Sequence, residues 1–183
     1  KVLPAPEEGK TLIIHNQKIE SALYFLDKSI SSSNDVSGAI FLPKESKVAG
    51  CVMNIENTFK LNDLKQDGSI TAIRIEGSKK SIDQRMKNLV NELKIINYNI
   101  SILETYQSEI FWNKVKSLEF FSTSKNSILR MVIPPSECIK LIYQFSNKFK
   151  YYIDWGGALV WIEAFELSEE MFESIRKKVV RLG

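Results

Sequence analysis

The order of its apolar segments limits the folds open to this 183-residue chain more than any other feature. Short β-branched runs and amphipathic helical segments follow one another as β-α-β-β-α-β, and after a connecting helix the order restarts as β-α-β-β-α. The first series is that of a ferredoxin-like unit. The sequence therefore predicts an α+β fold of two tandem ferredoxin-like units that share an antiparallel sheet, with the second unit lacking its last strand.

The predicted elements divide the chain into four parts. Residues 1–10 are a linker, 11–104 the first unit, 105–126 a connecting helix and loop, and 127–183 the second, truncated unit. Strands are predicted at 11–15, 36–42, 70–76, 98–103, 127–133, 150–154 and 158–165. Helices are expected to start at caps formed by Asn16, Ser78 and Ser168. The polar stretch 44–68 predicts a short helix or a mobile excursion, and its role stays open.

The helices of such units should cover one face of the sheet only and leave the other face open. Strand alternation places Arg74 and Glu76 on that open face, together with Arg130 and, on the strand after the glycine pair, Trp161 and Glu163. Two interpretations remain. The face is solvated and carries cross-strand ion pairs, or it is a lid over a ligand site in which an arginine receives a carboxylate.

The stretch "YYIDWGGALVWIE" predicts a β-hairpin with large aromatic side chains beside its turn. Gly156 and Gly157 supply the backbone freedom that a tight turn needs, and Asp154 can hydrogen-bond the turn backbone. Trp155 and Trp161 are then available for the open face. In the alternative interpretation, Trp155 fills the core at the hairpin corner.

Composition excludes several classes of function. A net charge of +3 without a clustered basic face argues against nucleic acid, and no run of about 18 apolar residues could span a membrane. Cys51 and Cys138 form no CxxC pair, which fits a reducing compartment and predicts no metal site. His15 is the one histidine, and since it closes the run "TLIIH" it is interpreted as the end of a strand rather than a catalytic base.

Five segments together resemble a known family. "KVLPAPE", "VSGAIFLP", "AIRIEG", "ILRMVIPP" and "YIDWGGALVWI" occur in the order seen in the C-terminal half of the FAD-binding E subunit of glycolate oxidase, a flavoprotein of the vanillyl-alcohol oxidase type. The likeness covers essentially the whole chain, and "DWGGALVW" is its most specific element. It implies a cap domain of two ferredoxin-like units over a flavin. The FAD-binding half would then lie before Lys1 and the last strand after Gly183.

This resemblance also implies a function. The chain would be the substrate-side cap of an oxidoreductase that oxidises a small 2-hydroxy acid, inactive alone and holding no FAD by itself. FAD would come with the missing half, and the partners would be a catalytic flavin subunit and an iron–sulfur subunit in the cytoplasm, with attachment to the periphery of the inner membrane left open. Candidates for facing substrate or flavin are Arg130, Trp155, Trp161, Arg74 and Glu76.

Two other functions are known for proteins of the same topology. A non-enzymatic ligand-binding or regulatory module remains an alternative. An RNA-binding module requires paired surface aromatics on the central strands, and "ITAIRIEG" offers none.

Overall fold

The computed structural model describes residues 5–43, 68–121, 126–145, 149–164 and 167–182. The strands are β1 (Glu8–His15), β2 (Val36–Leu42), β3 (Ile70–Gly77), β4 (Ile100–Leu103), β5 (Ser127–Val132), β6 (Lys150–Asp154) and β7 (Leu159–Ala164). The α-helices are α1 (Ile19–Ile30), α2 (Lys79–Glu92), α3 (Thr105–Lys116), α4 (Cys138–Phe145) and α5 (Glu169–Leu182). Short 3-10 segments cover Glu119–Phe121, Pro135–Glu137 and Trp155–Gly157. The predicted strands are confirmed to within three residues at each end, whereas most of the stretch 44–68 lies outside the described residues.

Of the three helix caps predicted from the sequence, the structure confirms one. Asn16 adopts a left-handed backbone with φ of 59°, and α1 begins two residues later than a cap there would place it, after Lys18. The prediction that Asn16 caps this helix was therefore wrong. Ser78 does precede α2, but its hydroxyl bonds to Ser81 rather than to the backbone of the first turn. Ser168 is confirmed as a cap, since its Oγ accepts the Met171 N–H at 3.2 Å.

All seven strands belong to one antiparallel sheet in the order β4-β1-β3-β2-β6-β7-β5. The strands of the first part of the chain thus lie side by side, and those of the second part continue the sheet beyond β2. The two groups meet where β2 runs beside β6, with Phe41 opposite Ile153. One continuous sheet therefore carries both halves of the chain.

Helices α1, α2, α4 and α5 pack on one face of this sheet and form the larger core. Each contributes apolar side chains at helical spacing, for example Leu26, Leu89 and Leu141, all fully buried. The strands contribute Ile73 and Val160 to the same core, and both are also fully buried. Burying a side chain of this size contributes roughly 1.5–3 kcal/mol, so this layer holds the sheet to its helices.

The expectation that helices cover one face only was wrong. Helix α3 and the segment Glu119–Phe121 lie on the opposite face and close a second core around Ile13, Ile40 and Phe111. The physical reason is that β1 and β2 are apolar on both faces. An exposed second face would have left these isoleucines in water.

A buried ion pair fastens this second layer to the sheet. Lys150 on β6 lies opposite Glu163 on β7, with the charged atoms 3.7 Å apart. Lys150 also donates a hydrogen bond to the backbone oxygen of Phe120, and Glu163 accepts one from Asn126 at 2.9 Å. Glu163, predicted on an open face, is thus almost fully buried. The ion pair therefore connects β6 and β7 to the segment Glu119–Phe121 and to Asn126.

His15 and Cys138 are both buried, and their surroundings indicate structural roles rather than catalytic ones. His15 is the last residue of β1, is buried, and lies with Nε2 2.5 Å from the Ser101 hydroxyl; burial lowers its pKa. This confirms its interpretation as a strand end. Cys138 is buried at the start of α4, and burial raises the pKa of its thiol to about 12. A thiol so hard to ionise is a poor nucleophile.

Within the described ranges, no helix is long and apolar enough to cross a membrane. In the same ranges, no cluster of three or more His, Cys, Asp or Glu side chains could hold a metal ion.

Candidate functional site

The second layer leaves one face of β5, the edge strand of the sheet, uncovered. On β5, Ile128 is 39% exposed and Val132 57% exposed, and Arg130 between them is also exposed. These three side chains share a face because alternate residues of a strand point the same way. Arg130 lies opposite Trp161 on β7. This exposed patch, with Trp155 beside it, is called the Arg130 surface.

Arg130 makes contact with two indole rings. Its guanidinium carbon lies 6.0 Å from the centre of the Trp155 ring and 5.9 Å from that of Trp161. Such contacts are each worth about 0.5–2 kcal/mol and hold the cation in place. Among the residues that the structure describes, the guanidinium of Arg130 has neither a hydrogen bond nor an ion pair. Its planar fork of donors is therefore positioned by the rings and available to an anion.

The turn between β6 and β7 determines where Trp155 lies. Trp155, Gly156 and Gly157 all have positive φ, at 47°, 63° and 102°. A side chain on Gly156 would collide with Ile30 of α1, so the glycines pack on the helix side of the sheet. Trp155 is 62% exposed. The interpretation of Trp155 as a core residue is therefore wrong.

Asp154 begins this turn and lies close to the Arg130 surface. Its Oδ1 accepts the Trp155 N–H at 2.7 Å. Burial raises the pKa of this carboxyl, while the Trp155 N–H and the charge of Arg130 act in the opposite direction. Asp154 therefore feels the field of Arg130 without forming an ion pair with it.

Arg74 has a different environment. Its Nη2 lies 2.8 Å from Oε1 of Glu76, and its guanidinium lies 5.9 Å from the centre of the Trp112 ring of α3. Both members of the ion pair are about four-fifths buried. The charge of Arg74 is thus neutralised within its own strand, which leaves Arg130 as the better receptor for an external anion.

A cleft of about 560 Å³ opens between α3, the start of β2 and the Trp155 turn. We call it the Trp112 cleft. Its lining consists of Ser37, Gly38, Arg74, Glu109, Trp112, Asn113, Val115, Lys116, Asp154 and Trp155. A volume of this size suits a small ligand. Three of the residues singled out from the sequence, Arg74, Asp154 and Trp155, meet here, and Trp155 also borders the Arg130 surface.

Trp112 is held in this cleft by two contacts. Its Nε1 donates a hydrogen bond of 2.8 Å to Thr11, whose hydroxyl lies 2.7 Å from that of Ser108. The other contact is with β2, where a Cβ on Gly38 would lie only 2.7 Å from the indole. The indole therefore rests on the strand at the one residue without a side chain.

Comparison with solved structures identifies the architecture. This chain shares its fold with part of two kinds of enzyme. Two structures of alkyldihydroxyacetonephosphate synthase match it with TM-scores of 0.60 and 0.57 at 11% and 10% identity, over 100% of this chain and 40% of theirs. A p-cresol methylhydroxylase with substrate bound matches with a TM-score of 0.61 at 7% identity, over 98% of this chain and 44% of that one.

These similarities concern the fold alone, because the identities are low. The chain spans less than half the length of these structural neighbours. No family model matches the sequence, and no curated protein sequence matches it.

Sequence reasoning missed Trp112 and Gly38, which complete the site. The sequence pattern places Trp112 in a connecting helix and indicates no partner for it. A signal was present in "VSGAIFLP", since a glycine inside an apolar strand often marks a bulge or the close approach of another group. The pairing of β2 with β3 does shift between Val36 and Gly38, so that Ser37 has no partner residue.

The arrangement offers two kinds of recognition side by side. The Arg130 surface presents an unpaired guanidinium among apolar side chains, which suits a carboxylate. The Trp112 cleft presents aromatic walls with a polar rim. The two share Trp155.

Proposed function

We propose that this chain is the cap domain of an FAD-dependent oxidoreductase of the vanillyl-alcohol oxidase type, and more specifically of a glycolate oxidase component that resembles the FAD-binding E subunit. The neighbours in fold are FAD-linked oxidases of that family. The segments "VSGAIFLP" and "DWGGALVW" support the finer assignment. The substrate would be a small 2-hydroxy acid.

The strand order supports two ferredoxin-like units. The first four strands lie in the order β4-β1-β3-β2, which is that of a split β-α-β unit. The last three lie in the order β6-β7-β5. Within this second group, β5, β6 and β7 are the first, second and third strands, so their spatial order is 2-3-1. The first unit, with order 4-1-3-2, gives the same 2-3-1 when it is viewed from its other edge and its fourth strand is left out.

The observation that carries the proposal is the Arg130 surface. Helices cover the whole of one face of a cap, but the other face must stay partly open if it is to lie over a flavin. Here the opening is the exposed face of β5, which carries Arg130 and lies beside Trp155 and the partly buried Trp161. We infer that the rings contact the FAD-binding half and that the guanidinium receives the carboxylate of the substrate.

The proposal requires other polypeptide segments. An FAD-binding half or chain would supply the flavin, and a catalytic flavin subunit and an iron–sulfur subunit would complete the glycolate oxidase complex. The role of this chain's own residues is to bind and orient the acid and to exclude water from the flavin.

The test is Arg130→Ala in the complete flavoprotein, with Arg176→Ala on the exposed face of α5 as the control for loss of a charge. We expect Arg130→Ala to weaken glycolate binding or assembly by about 1–3 kcal/mol, the range for a lost charged hydrogen bond. The melting temperature should fall by only a few degrees, because Arg130 is exposed and its two ring contacts are each worth about 0.5–1 kcal/mol at an exposed site. Steady-state KM for glycolate and analytical ultracentrifugation of the complex measure the two effects.

A second readout checks that the charge of Arg130 reaches Asp154, and the melting temperature separates a binding role from a structural one. Since the charge of Arg130 acts to lower the pKa of Asp154, the variant should raise that pKa, which carboxyl NMR can follow. If Arg130→Ala lowers the melting temperature while activity per folded molecule stays constant, Arg130 is structural. If no FAD-binding partner assembles with the chain, the non-enzymatic ligand-binding module becomes the better interpretation.

A further inference from the structure

The Trp112 cleft has the features of a ligand site separate from the Arg130 surface. We propose that it binds an uncharged, planar heteroaromatic ring, which stacks on Trp112 and Trp155 and is read at its edge by the polar groups of β2 and α3. This inference is independent of the proposed function, because it uses no flavin and no carboxylate.

The Trp112 wall of the cleft is positioned before any ligand arrives. Thr11 holds the Trp112 indole through a 2.8 Å hydrogen bond, and Gly38 lets that indole lie on the strand. On the other wall, the left-handed backbone of Trp155 directs a mostly exposed indole into the cleft. A side chain that is already held, as Trp112 is, loses less conformational entropy when a ring binds to it.

The charges around the cleft balance, which favours an uncharged ligand. Arg74 is neutralised by Glu76. The remaining charged side chains of the lining are Glu109, Lys116 and Asp154, and Arg130 lies just beyond Trp155. An anion or a cation would therefore meet a like charge as well as an opposite one.

Polar groups at the rim of the Trp112 cleft favour a ligand ring that carries nitrogen or oxygen atoms. Ser37 is the extra residue of the β2 bulge, exposed and without a partner residue in β3. The Ser37 hydroxyl donates a long hydrogen bond of 3.5 Å to the Arg74 backbone oxygen, and its own oxygen can still accept one. The exposed Asn113 amide offers both donors and an acceptor at the rim of the cleft. A heteroaromatic edge can satisfy such groups, whereas a hydrocarbon ring would leave them without partners.

The experiment titrates the full chain with adenosine, an uncharged planar heteroaromatic probe, and follows the indole N–H signals by ¹⁵N NMR. Benzoate and cyclohexanol serve as a charged ring and a non-planar ring. We expect adenosine to shift the Trp112 and Trp155 signals with saturation, and the other two compounds to leave the Trp112 signal in place. Trp155 is not used to score benzoate, because its ring also contacts Arg130, which can bind a carboxylate. Because stacking on an aromatic side chain contributes about 1–3 kcal/mol, Trp155→Ala should weaken adenosine binding roughly tenfold.

Trp155→Ala removes an exposed side chain, so loss of folding is not expected to obscure the result. The matched control is Phe172→Ala, which removes another exposed aromatic ring, 40% exposed on α5, outside the cleft. The proposal is overturned if adenosine shifts neither cleft indole, if benzoate shifts the Trp112 signal as adenosine does, or if Trp155→Ala and Phe172→Ala bind adenosine equally. Failure of this test leaves the glycolate test at Arg130 unaffected, since Arg130 does not line the cleft and Trp112 is not part of the Arg130 surface.

Discussion

At the scale of single residues, Trp155 shows how local strain and exposure occur together at the site. A left-handed backbone disfavours any residue with a side chain and is unusual for a bulky one. The indole is 62% exposed, so core packing does not stabilise this conformation. Residues held in such conformations cluster at ligand sites. The indole is nevertheless kept where it meets Arg130 and lines the Trp112 cleft.

Two substitutions at position 155 separate strain from contact. Trp155→Gly and Trp155→Ala both remove the indole, but only glycine adopts φ of 47° freely. We expect the glycine variant to be the more stable of the two by about 1 kcal/mol, since an L-residue in the left-handed region costs about 1–2 kcal/mol and glycine's extra unfolded-state entropy offsets part of this. Urea unfolding gives both free energies. Equal stabilities would show that the turn relaxes and that Trp155 is not strained.

At the scale of elements, α3 turns a two-layer arrangement into a three-layer one over much of the sheet. The runs Leu12–Ile14 and Ala39–Leu42 are continuous and apolar, a pattern typical of strands buried on both faces. β5, by contrast, exposes Ile128 and Val132. The second layer therefore covers β1 and β2, which are apolar on both faces, and leaves the Arg130 surface of β5 uncovered.

Phe111 tests whether α3 stabilises the fold. It is fully buried in the second core, whereas Tyr106 on the same helix is 74% exposed. We expect Phe111→Ala to lower the free energy of unfolding by about 3–5 kcal/mol and Tyr106→Ala to change it by less than about 0.5 kcal/mol. Urea denaturation with matched m-values measures both. A cost below about 1 kcal/mol for Phe111→Ala would mean that α3 is only loosely attached.

The strands and the side of the sheet on which Arg130 lies could be predicted from the sequence, whereas the packing of α3 could not. Strand alternation placed Arg130 and Trp161 on one face, because side-chain direction follows from position in a strand. The contact between Trp112 and Gly38 could not be predicted. It depends on which face of the sheet receives α3, and local periodicity carries no information on that choice. The continuous apolar runs of β1 and β2 were the available evidence, and they were outweighed by the one-sided pattern of ferredoxin-like units.

At the scale of the whole molecule, one core joins the two halves of the chain. The larger core contains Leu12 and Ile75 from the first half and Val160 and Ile175 from the second, and the sheet passes between halves at β2 and β6. The Trp155 turn adds a further contact, since Gly156 and Gly157 pack against α1. A continuous core of this kind should unfold in a single step.

Gly156→Ala tests this junction. The substitution places a Cβ against Cδ1 of Ile30 in a backbone with φ of 63°, so we expect a loss of about 1–3 kcal/mol from strain and crowding together. If the halves form one cooperative unit, far-UV circular dichroism and tryptophan fluorescence should report the same shifted transition. Ile30→Val removes the Cδ1 atom, and in the double variant it should restore the part of the loss due to crowding but not the part due to φ. A fluorescence transition that moves while the circular dichroism transition stays in place would show that the halves unfold independently, because two of the three tryptophans, Trp155 and Trp161, lie in the second half.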